Sequence, residues 1–205
     1  MVRQLVKNGS LKHSSTINAF RLVDRINFCV PEYKQYAYQD RALPLIENQT
    51  ISQPTTVAIM TEALELTPGK KVLEIGTGCG YQAAILAEIV GREGKVFTIE
   101  IKPKLVELAK KNLSGYKNIK IILGDGSEGL PKEAPFDGII VTAAAPEMSD
   151  KFIQQLKVGG SLVIPIGPRE VQRIVIVKRT VDSYEEKDIG PFIFVPLVGK
   201  GGWRL

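Results

Sequence analysis

The sequence contains few of the residues on which metal, redox and disulfide sites depend. It has one histidine and two cysteines in 205 residues. Cys29 and Cys79 form neither a disulfide framework nor a zinc-binding spacing, so we expect both thiols to be reduced and no metal site. His13 lies among polar residues without an evident catalytic partner, which favours a surface position. A disulfide scaffold and a zinc module are therefore excluded.

Long apolar runs, internal repeats and low-complexity tracts are also absent. No stretch approaches the roughly 18 apolar residues of a membrane span, and residues 1–15 lack the apolar core of a signal peptide. We therefore expect a cytoplasmic protein that does not contact membranes. The net charge of +5 permits nucleic-acid binding, but the basic residues are dispersed, and the lysines of segment 102–111 fit a solvated helix face.

The content of 44% hydrophobic residues allows one compact domain with a full core, which we expect to span residues 1–205 of a monomer. Residues 1–50 read as an arm packed on a core of residues 51–205. In the arm, apolar spacing predicts a helix over Thr16–Phe28, with Ser15 as its cap, before an irregular aromatic stretch. A second helix is predicted over Thr55–Leu66, for which Ser52 is a candidate N-cap.

The segment VLEIGTGCGYQAA, residues 72–84, combines a short apolar run, three alternate glycines and the start of a helical pattern. Gly76, Gly78 and Gly80 let the backbone turn sharply and approach a ligand, and the free amides at a helix N-terminus favour an electron-rich group. A nucleotide-like cofactor site is indicated. Tyr81 stands where a dinucleotide site needs glycine or alanine, which argues against NAD. With Glu74, the pattern E-x-G-x-G-x-G resembles the first motif of S-adenosylmethionine-dependent methyltransferases.

Strands and helices then alternate, which predicts βαβ units and a parallel sheet covered on both faces. Val171–Lys178 and Ile189–Val198 are strand-like with only a charged stretch between them, so we expect an antiparallel hairpin at the end of the sheet. The predicted elements between are strands Lys95–Ile101, Ile119–Leu123, Gly138–Thr142 and Ser161–Ile166 and helices Pro103–Leu113 and Asp150–Leu156.

Two acids follow predicted strands at positions suited to a cofactor. Glu100 ends the second strand about twenty residues after the glycine turn, where a carboxylate reaches the two ribose hydroxyls in Rossmann-type sites. Asp125, between Gly124 and Gly126, follows the third strand and is a candidate acceptor for an adenine amino group. The alternatives are an ordinary strand-end acid and a common turn.

The fourth strand bears on which acceptor is methylated. Residues 136–146 read FDGIIVTAAAP and lack the aromatic turn typical of enzymes that methylate base amino groups. Neither cysteine is placed to serve as the nucleophile of a cytosine C5 enzyme. Methylation of nucleic-acid bases is thereby disfavoured, and we expect no nucleic-acid partner.

Six segments together resemble protein-L-isoaspartate O-methyltransferases in order and content. The resemblance runs from about Phe20 to the end of the chain; Thr55 and Thr56 depart from the aromatic or histidine-containing pair frequent there. The segments are TISQPTTVAIM (50–60), VLEIGTGCGYQAA (72–84), GDGSEGLP (124–131), FDGIIVTAAAPE (136–147), LKVGGSLVIPIG (156–167) and FVPLVGKGGW (194–203).

The resemblance implies a doubly wound, mostly parallel Rossmann-like methyltransferase sheet. It also implies transfer of the methyl group of S-adenosylmethionine to the free α-carboxylate of isoaspartyl residues in damaged proteins and peptides, leaving S-adenosylhomocysteine. A carboxylate is ionised at pH 7, so no general base is required. The cofactor residues expected on this basis are Glu74, Gly76, Thr77, Gly78, Gly80, Tyr81, Glu100, Ile101, Gly124, Asp125, Gly126 and Thr142.

Ser52 is the catalytic candidate implied by the resemblance, since its hydroxyl can orient the substrate carboxylate; spacing alone favours a helix cap. We expect an extended substrate peptide to lie near Ile51, Gln53 and Pro54 and to take main-chain hydrogen bonds from Val195, Val198 and Gly199. Three alternatives stay open: a methyltransferase for RNA or small molecules, a cofactor-binding protein without catalysis and, last, a dehydrogenase.

Overall fold

A computed structural model describes residues 1–204. The strands are β1 (Leu43–Pro44), β2 (Thr50–Ile51), β3 (Lys71–Ile75), β4 (Lys95–Glu100), β5 (Ile119–Leu123), β6 (Phe136–Val141), β7 (Leu156–Ile166), β8 (Gln172–Arg179) and β9 (Tyr184–Phe192). Seven of them form one sheet in the order β5-β4-β3-β6-β7-β8-β9, and β1 pairs with β2. Strands β3 to β7 run parallel, whereas β8 and β9 pair antiparallel. The predicted sheet and its C-terminal hairpin are confirmed.

Two α-helices lie in the arm, a third precedes the parallel strands, and the others lie in the connections between those strands. The helices are α1 (Val2–Lys7), α2 (Ser14–Leu22), α3 (Pro54–Ala63), α4 (Tyr81–Val90), α5 (Pro103–Asn112) and α6 (Asp150–Gln154). Short 3-10 turns cover Arg25–Phe28, Pro31–Tyr36, Ile46–Asn48 and Pro131–Glu133. Among residues 1–204, none of the helices combines the length and apolar character that a membrane span requires.

The apolar side chains form two buried groups because successive residues of a strand point to opposite faces of the sheet. Val72 belongs to the same buried group as the apolar residues of α4 and as Leu5 and Phe20 of the arm. Leu73 packs on the other face with Phe152 of α6. The arm therefore contributes to the same buried group as the helix that follows the glycine turn.

The arm differs from prediction at the helix over Thr16–Phe28. Helix α2 ends at Leu22, Val23 and Asp24 are extended, and a separate 3-10 turn begins at Arg25. The Asp24 carboxylate accepts from the Ile26 amide and starts this new turn. Ser15 is not the cap, because α2 begins at Ser14 and no side chain caps it.

The final hairpin is displaced relative to the predicted strands. β9 covers Tyr184–Phe192, so the charged stretch expected to separate the strands is itself paired with β8. Its charged side chains are tolerated because β9 is the exposed edge of the sheet. Residues after Phe192 leave the hairpin, and the backbone of Val195 and Leu197 pairs instead with Ala144. Strand β7 is also longer than predicted and begins at Leu156.

Candidate functional site

A cavity of about 240 Å³ lies at the carboxyl ends of the parallel strands, where open α/β sheets bind their ligands. We refer to it as the strand-end cavity. Its wall brings together residues from the glycine turn, the end of β4, the start of α3 and the segment after β9. The predicted site residues that border it are Ser52, Glu74, Gly76, Thr77, Gly78, Tyr81, Glu100, Ile101, Gly124, Gly126, Thr142, Val195 and Val198.

The backbone of the glycine turn has positive φ angles, which residues with a Cβ atom rarely adopt. Gly76, Gly78 and Gly80 have φ values of +96°, +54° and +89°. A Cβ atom at Gly76 would collide with the Thr142 hydroxyl, which donates to the Gly76 carbonyl at 2.6 Å. Gly80 does not border the cavity; it turns the chain into α4 against the side chain of Leu113. The turn thus presents bare backbone to the cavity.

Glu100 connects the glycine turn to the end of β4. Its Oε2 accepts from the Gly78 amide at 2.9 Å, and its Oε1 accepts from the Lys102 amide at 3.0 Å. Each carboxylate oxygen keeps lone-pair capacity for a further donor. The geometry suits the predicted role of Glu100 as a partner for ribose hydroxyls.

Glu74 forms part of the cavity wall, and its side chain is fully buried from solvent. Its Oε2 accepts from the Thr98 hydroxyl at 2.5 Å, and its Oε1 has no hydrogen-bond partner in residues 1–204. Burial raises the pKa of this carboxyl to about 8, the Thr98 donor opposes the rise and the nearby Glu100 charge adds to it. Sequence reasoning missed Thr98, because the register that places it beside Glu74 is known only from the folded sheet.

Tyr81 stands at the position where a dinucleotide-binding turn would have glycine or alanine. Tyr81 borders the cavity, and its ring packs edgewise on Phe28, with ring centroids 5.4 Å apart. The Arg25 guanidinium lies 5.3 Å from the ring centroid. Arg25 and Phe28 come from the arm, so this bulky side chain joins the arm to the first turn of α4.

Asp125 stands apart from the cavity wall. Its Oδ1 accepts from the Ser127 amide and hydroxyl, and its Oδ2 accepts from the Lys200 amide at 2.8 Å. A Cβ atom at Gly199 would collide with Oδ1. Although its neighbours Gly124 and Gly126 border the cavity, Asp125 itself ties down the chain after β9.

Ser52 borders the cavity, whereas the neighbouring candidates Ile51, Gln53 and Pro54 do not. Its hydroxyl makes no hydrogen bond to residues 1–204, so the helix-cap interpretation is wrong. Asp40 of the arm takes that place: its Oδ1 accepts from the Thr55 amide at 2.9 Å and its Oδ2 from the Thr55 hydroxyl at 2.7 Å. The Ser52 hydroxyl is therefore free to serve a ligand.

The segment after β9 closes one side of the cavity. Ala144 N donates to Val195 O and Leu197 N donates to Ala144 O, each at 2.8 Å. The Trp203 indole also donates to Ala144 O, at 3.1 Å. Gly199 does not border the cavity, because it is turned toward Asp125.

Several further wall residues are not among the candidates named from the sequence, because contacts between distant segments of the chain bring most of them to the cavity. They are Gln49, Thr50, Val57, Met60, Ile75, Cys79, Gln82, Ile99, Lys102, Leu105, Ala143 and Phe194, whereas Pro196 and Leu197 lie within the segment from Val195 to Gly199 that was expected near the substrate. Thr50, Val57 and Met60 lie within the recognised segment of residues 50–60 and Gln49 directly precedes it, which was the available signal. Burial raises the pKa of Cys79 to about 12, so this thiol stays neutral at pH 7 and is a poor nucleophile. His13 lies elsewhere and pairs with Glu62.

The strand order, the glycine turn after β3 and the acid at the end of β4 define a Rossmann-like methyltransferase fold. The chain belongs to the protein-L-isoaspartate(D-aspartate) O-methyltransferase family, whose sequence model matches residues 1–202. The protein-L-isoaspartate O-methyltransferase of Methanothermobacter thermautotrophicus is 47% identical over 209 residues, covering 100% of this chain and 96% of the relative. That of Pyrococcus horikoshii is 46% identical and covers 99% of this chain and 93% of the relative.

Solved structures support the same assignment. A protein-L-isoaspartate O-methyltransferase matches with a TM-score of 0.86 and 31% identity, covering 98% of this chain and 65% of that chain. A Plasmodium falciparum structure in complex with S-adenosyl-L-homocysteine matches with a TM-score of 0.85 and 24% identity, covering 96% of each chain. At that identity the second match supports the fold alone. The family resemblance seen in the sequence is confirmed.

Proposed function

We propose that this protein transfers the methyl group of S-adenosylmethionine to the free α-carboxylate of L-isoaspartyl residues, as expected of a protein-L-isoaspartate O-methyltransferase. The observation that carries the proposal is that Ser52, with a hydroxyl free of other partners, borders the same cavity as the glycine turn and Glu100. The cavity thus joins a cofactor-type site to a group able to orient a carboxylate.

The residues present fit the cofactor. Bare backbone at Gly76 and Gly78 admits close approach, Glu100 retains acceptor capacity, and Oε1 of Glu74 is a buried oxygen without a partner. When bound, S-adenosylmethionine supplies a methyl group on a positively charged sulfur, which makes that methyl electrophilic. We propose that Glu74, Glu100 and the glycine turn bind the cofactor. Other predicted residues complete the wall around it: Tyr81, Ile101, Gly124, Gly126 and Thr142.

The chain needs to align the acceptor rather than activate it. A carboxylate is already ionised at pH 7, so no side chain has to remove a proton. Ser52 donates to one carboxylate oxygen and thereby orients the other for in-line attack. The apolar wall residues Val57, Met60 and Leu197 exclude water, which strengthens this hydrogen bond. The methyl ester then closes to a succinimide, which hydrolyses partly to normal aspartate.

Backbone groups near the cavity are available to bind an extended substrate. On the segment after β9, Val195 O and Leu197 N are used by Ala144, while Pro196 O and Val198 N have no hydrogen-bond partner in residues 1–204. Those two groups can pair with a peptide main chain, as strand addition requires. Hydrogen exchange with and without an isoaspartyl peptide tests this; unchanged protection at Val198 would contradict it.

The decisive experiment offers labelled S-adenosylmethionine and two synthetic peptides that differ only in an aspartyl or isoaspartyl linkage. We expect base-labile label on the isoaspartyl peptide alone. Label on neither peptide, with the cofactor still bound, would reject the acceptor and direct the search to RNA and small metabolites. Absence of cofactor binding would reject the methyltransferase function itself.

We also propose that the protein is a monomer and that it is located in the cytoplasm. The two cysteines are buried and form no disulfide, which suits a reducing compartment. Light scattering of the purified protein tests the monomer: a mass of twice 22.5 kDa would contradict it.

A further inference from the structure

A chain of three buried side chains connects the glycine turn to the wall of the cavity. The Thr98 hydroxyl lies 2.6 Å from the Thr77 hydroxyl and donates to Oε2 of Glu74 at 2.5 Å. Thr77, Thr98 and Glu74 are 3%, 0% and 0% exposed. Because a hydroxyl has a single proton, Thr98 can donate to Glu74 only if Thr77 donates to Thr98.

We propose that Thr98 is a positioning residue for the cofactor: it orients the Glu74 carboxyl so that Oε1 serves a cationic group of S-adenosylmethionine, and it couples that carboxyl to Thr77 in the glycine turn. The inference rests on the proposed function, since it takes this cofactor to occupy the strand-end cavity. Thr98 does not border the cavity and therefore acts through its two neighbours.

Among the charged groups of the cavity wall, Glu74 has a buried carboxylate oxygen to which no group in residues 1–204 donates a hydrogen bond. Glu74, Glu100 and Lys102 are the carboxyl and amino groups of this wall. The other two ionisable wall residues, Cys79 and Tyr81, stay neutral at pH 7 because burial raises the pKa of each. Both oxygens of Glu100 already accept from backbone amides, whereas Oε1 of Glu74 is buried and bare. The cofactor carries a sulfonium and an α-ammonium group, and a cation beside a buried carboxylate offsets part of its desolvation cost.

Burial raises the pKa of Glu74 to about 8, which favours its neutral form at pH 7 in the absence of a ligand. Glu100 is the charged group near enough to reinforce that rise, and Thr98 opposes it. The facing residue on β6 is the apolar Ile140, and α3 and α4 offer the uncharged Met60 and Gln82. A bound cation favours the ionised carboxylate, so cofactor binding below this pKa must release a proton.

The pH dependence of affinity follows from that release. Below the pKa of Glu74, affinity for S-adenosylmethionine should rise by up to about tenfold per pH unit and then level off above it. S-adenosylhomocysteine lacks the sulfonium charge and should show a weaker dependence. Removing the Thr98 donor raises the pKa of Glu74 further, which moves the plateau to higher pH and lowers affinity at pH 7.

The test is calorimetric titration of the full chain with each cofactor form between pH 6 and 9, in buffers of different ionisation enthalpy. Thr98→Val should weaken S-adenosylmethionine binding at pH 7 by about tenfold or more, the effect expected of one hydrogen bond to a charged group. Thr98→Ser should restore the wild-type affinity and pH profile. The buried Thr16, on α2, supplies the matched control, and Thr16→Val should bind like the wild type.

Glu74→Gln keeps the proposal testable if Thr98→Val does not fold, because it should abolish both the proton release and the pH dependence. A wild-type profile in Thr98→Val would overturn the proposal, and so would a pH dependence of Glu74→Gln that persists between pH 6 and 7, where the α-ammonium group of the cofactor stays protonated. Failure of Thr98→Ser to rescue would assign Thr98 to packing and would also overturn it. These titrations contain no peptide, so failure to methylate isoaspartate would leave this result intact and reject only the acceptor.

Discussion

The guanidinium of Arg25 lies 5.3 Å from the ring centroid of Tyr81, and the two side chains are 0% and 2% exposed. Arg25 also donates to Ala37 O at 2.9 Å and to Ile51 O at 3.5 Å. One buried side chain of the arm therefore contacts both the first residue of α4 and the residue before Ser52. The arm positions the two halves of the strand-end cavity relative to each other.

Arg25→Lys should destabilise the protein and raise the KM for an isoaspartyl peptide more than the Kd for the cofactor. A lysine keeps the charge but cannot reach several carbonyls with a planar fork, and each buried polar group left without a hydrogen bond costs about 1–3 kcal/mol. Urea unfolding and steady-state kinetics measure the two effects. Arg21→Lys, at an exposed position on α2, is the control. Equal loss of peptide and cofactor affinity would contradict a specific effect on the Ser52 side.

Gly76→Ala should lower both stability and cofactor affinity. Gly76 has a φ of +96°, and the added Cβ would meet the Thr142 hydroxyl. Gly9 has a φ of +76° and open space around it, so Gly9→Ala isolates the backbone strain, which is about 1–2 kcal/mol. We expect denaturant unfolding to show a larger loss for Gly76→Ala, partly recovered in Gly76→Ala with Thr142→Ala. Equal losses at the two glycines would show that the collision is relieved by local movement.

Much of the fold could be predicted because its determinants are local. The apolar runs of β3 to β6 and the alternate glycines identify the sheet and its turn directly from the sequence. The contacts that set the site are long-range: Asp40, and not the expected cap Ser52, accepts a hydrogen bond at the start of α3, and Thr98 contacts Glu74 only through strand register. Asp125 was assigned to the cofactor because its place after β5 is visible, whereas its bond to Lys200 is not.

Ser52→Ala should reduce kcat and leave the cofactor Kd unchanged. Loss of one hydrogen bond to a charged carboxylate costs about 1.5–3 kcal/mol, or roughly 10- to 150-fold in rate when it is used in the transition state. Stability should hardly change, because Asp40 and not Ser52 serves the start of α3. Kinetics, calorimetry and thermal unfolding separate these effects, with the exposed Ser14→Ala as control. Undiminished turnover would reject the role of Ser52.

Asp125→Ala distinguishes between two possible roles of this carboxylate, because each role predicts that a different ligand binds more weakly. If Asp125 accepts from adenine, its loss weakens the cofactor; if it holds the chain after β9, its loss weakens the peptide. The structure supports the second, so we expect faster amide exchange at Lys200 and Gly201 and a raised peptide KM, with Asp182→Ala as an exposed control.

The same role predicts a dependence on pH in the wild type. Burial alone would raise the pKa of Asp125, but donors from Ser127 and Lys200 outweigh it and hold the pKa below its usual range. A carboxyl whose folded pKa is depressed contributes its stabilisation above the unfolded value of about 3.9 and loses it as pH falls through the folded value. The Lys200 amide should therefore stay protected near neutral pH and lose protection only below about pH 4, where Asp125 takes up a proton. Loss of its protection at pH 5 to 6 would show that a different group secures this segment.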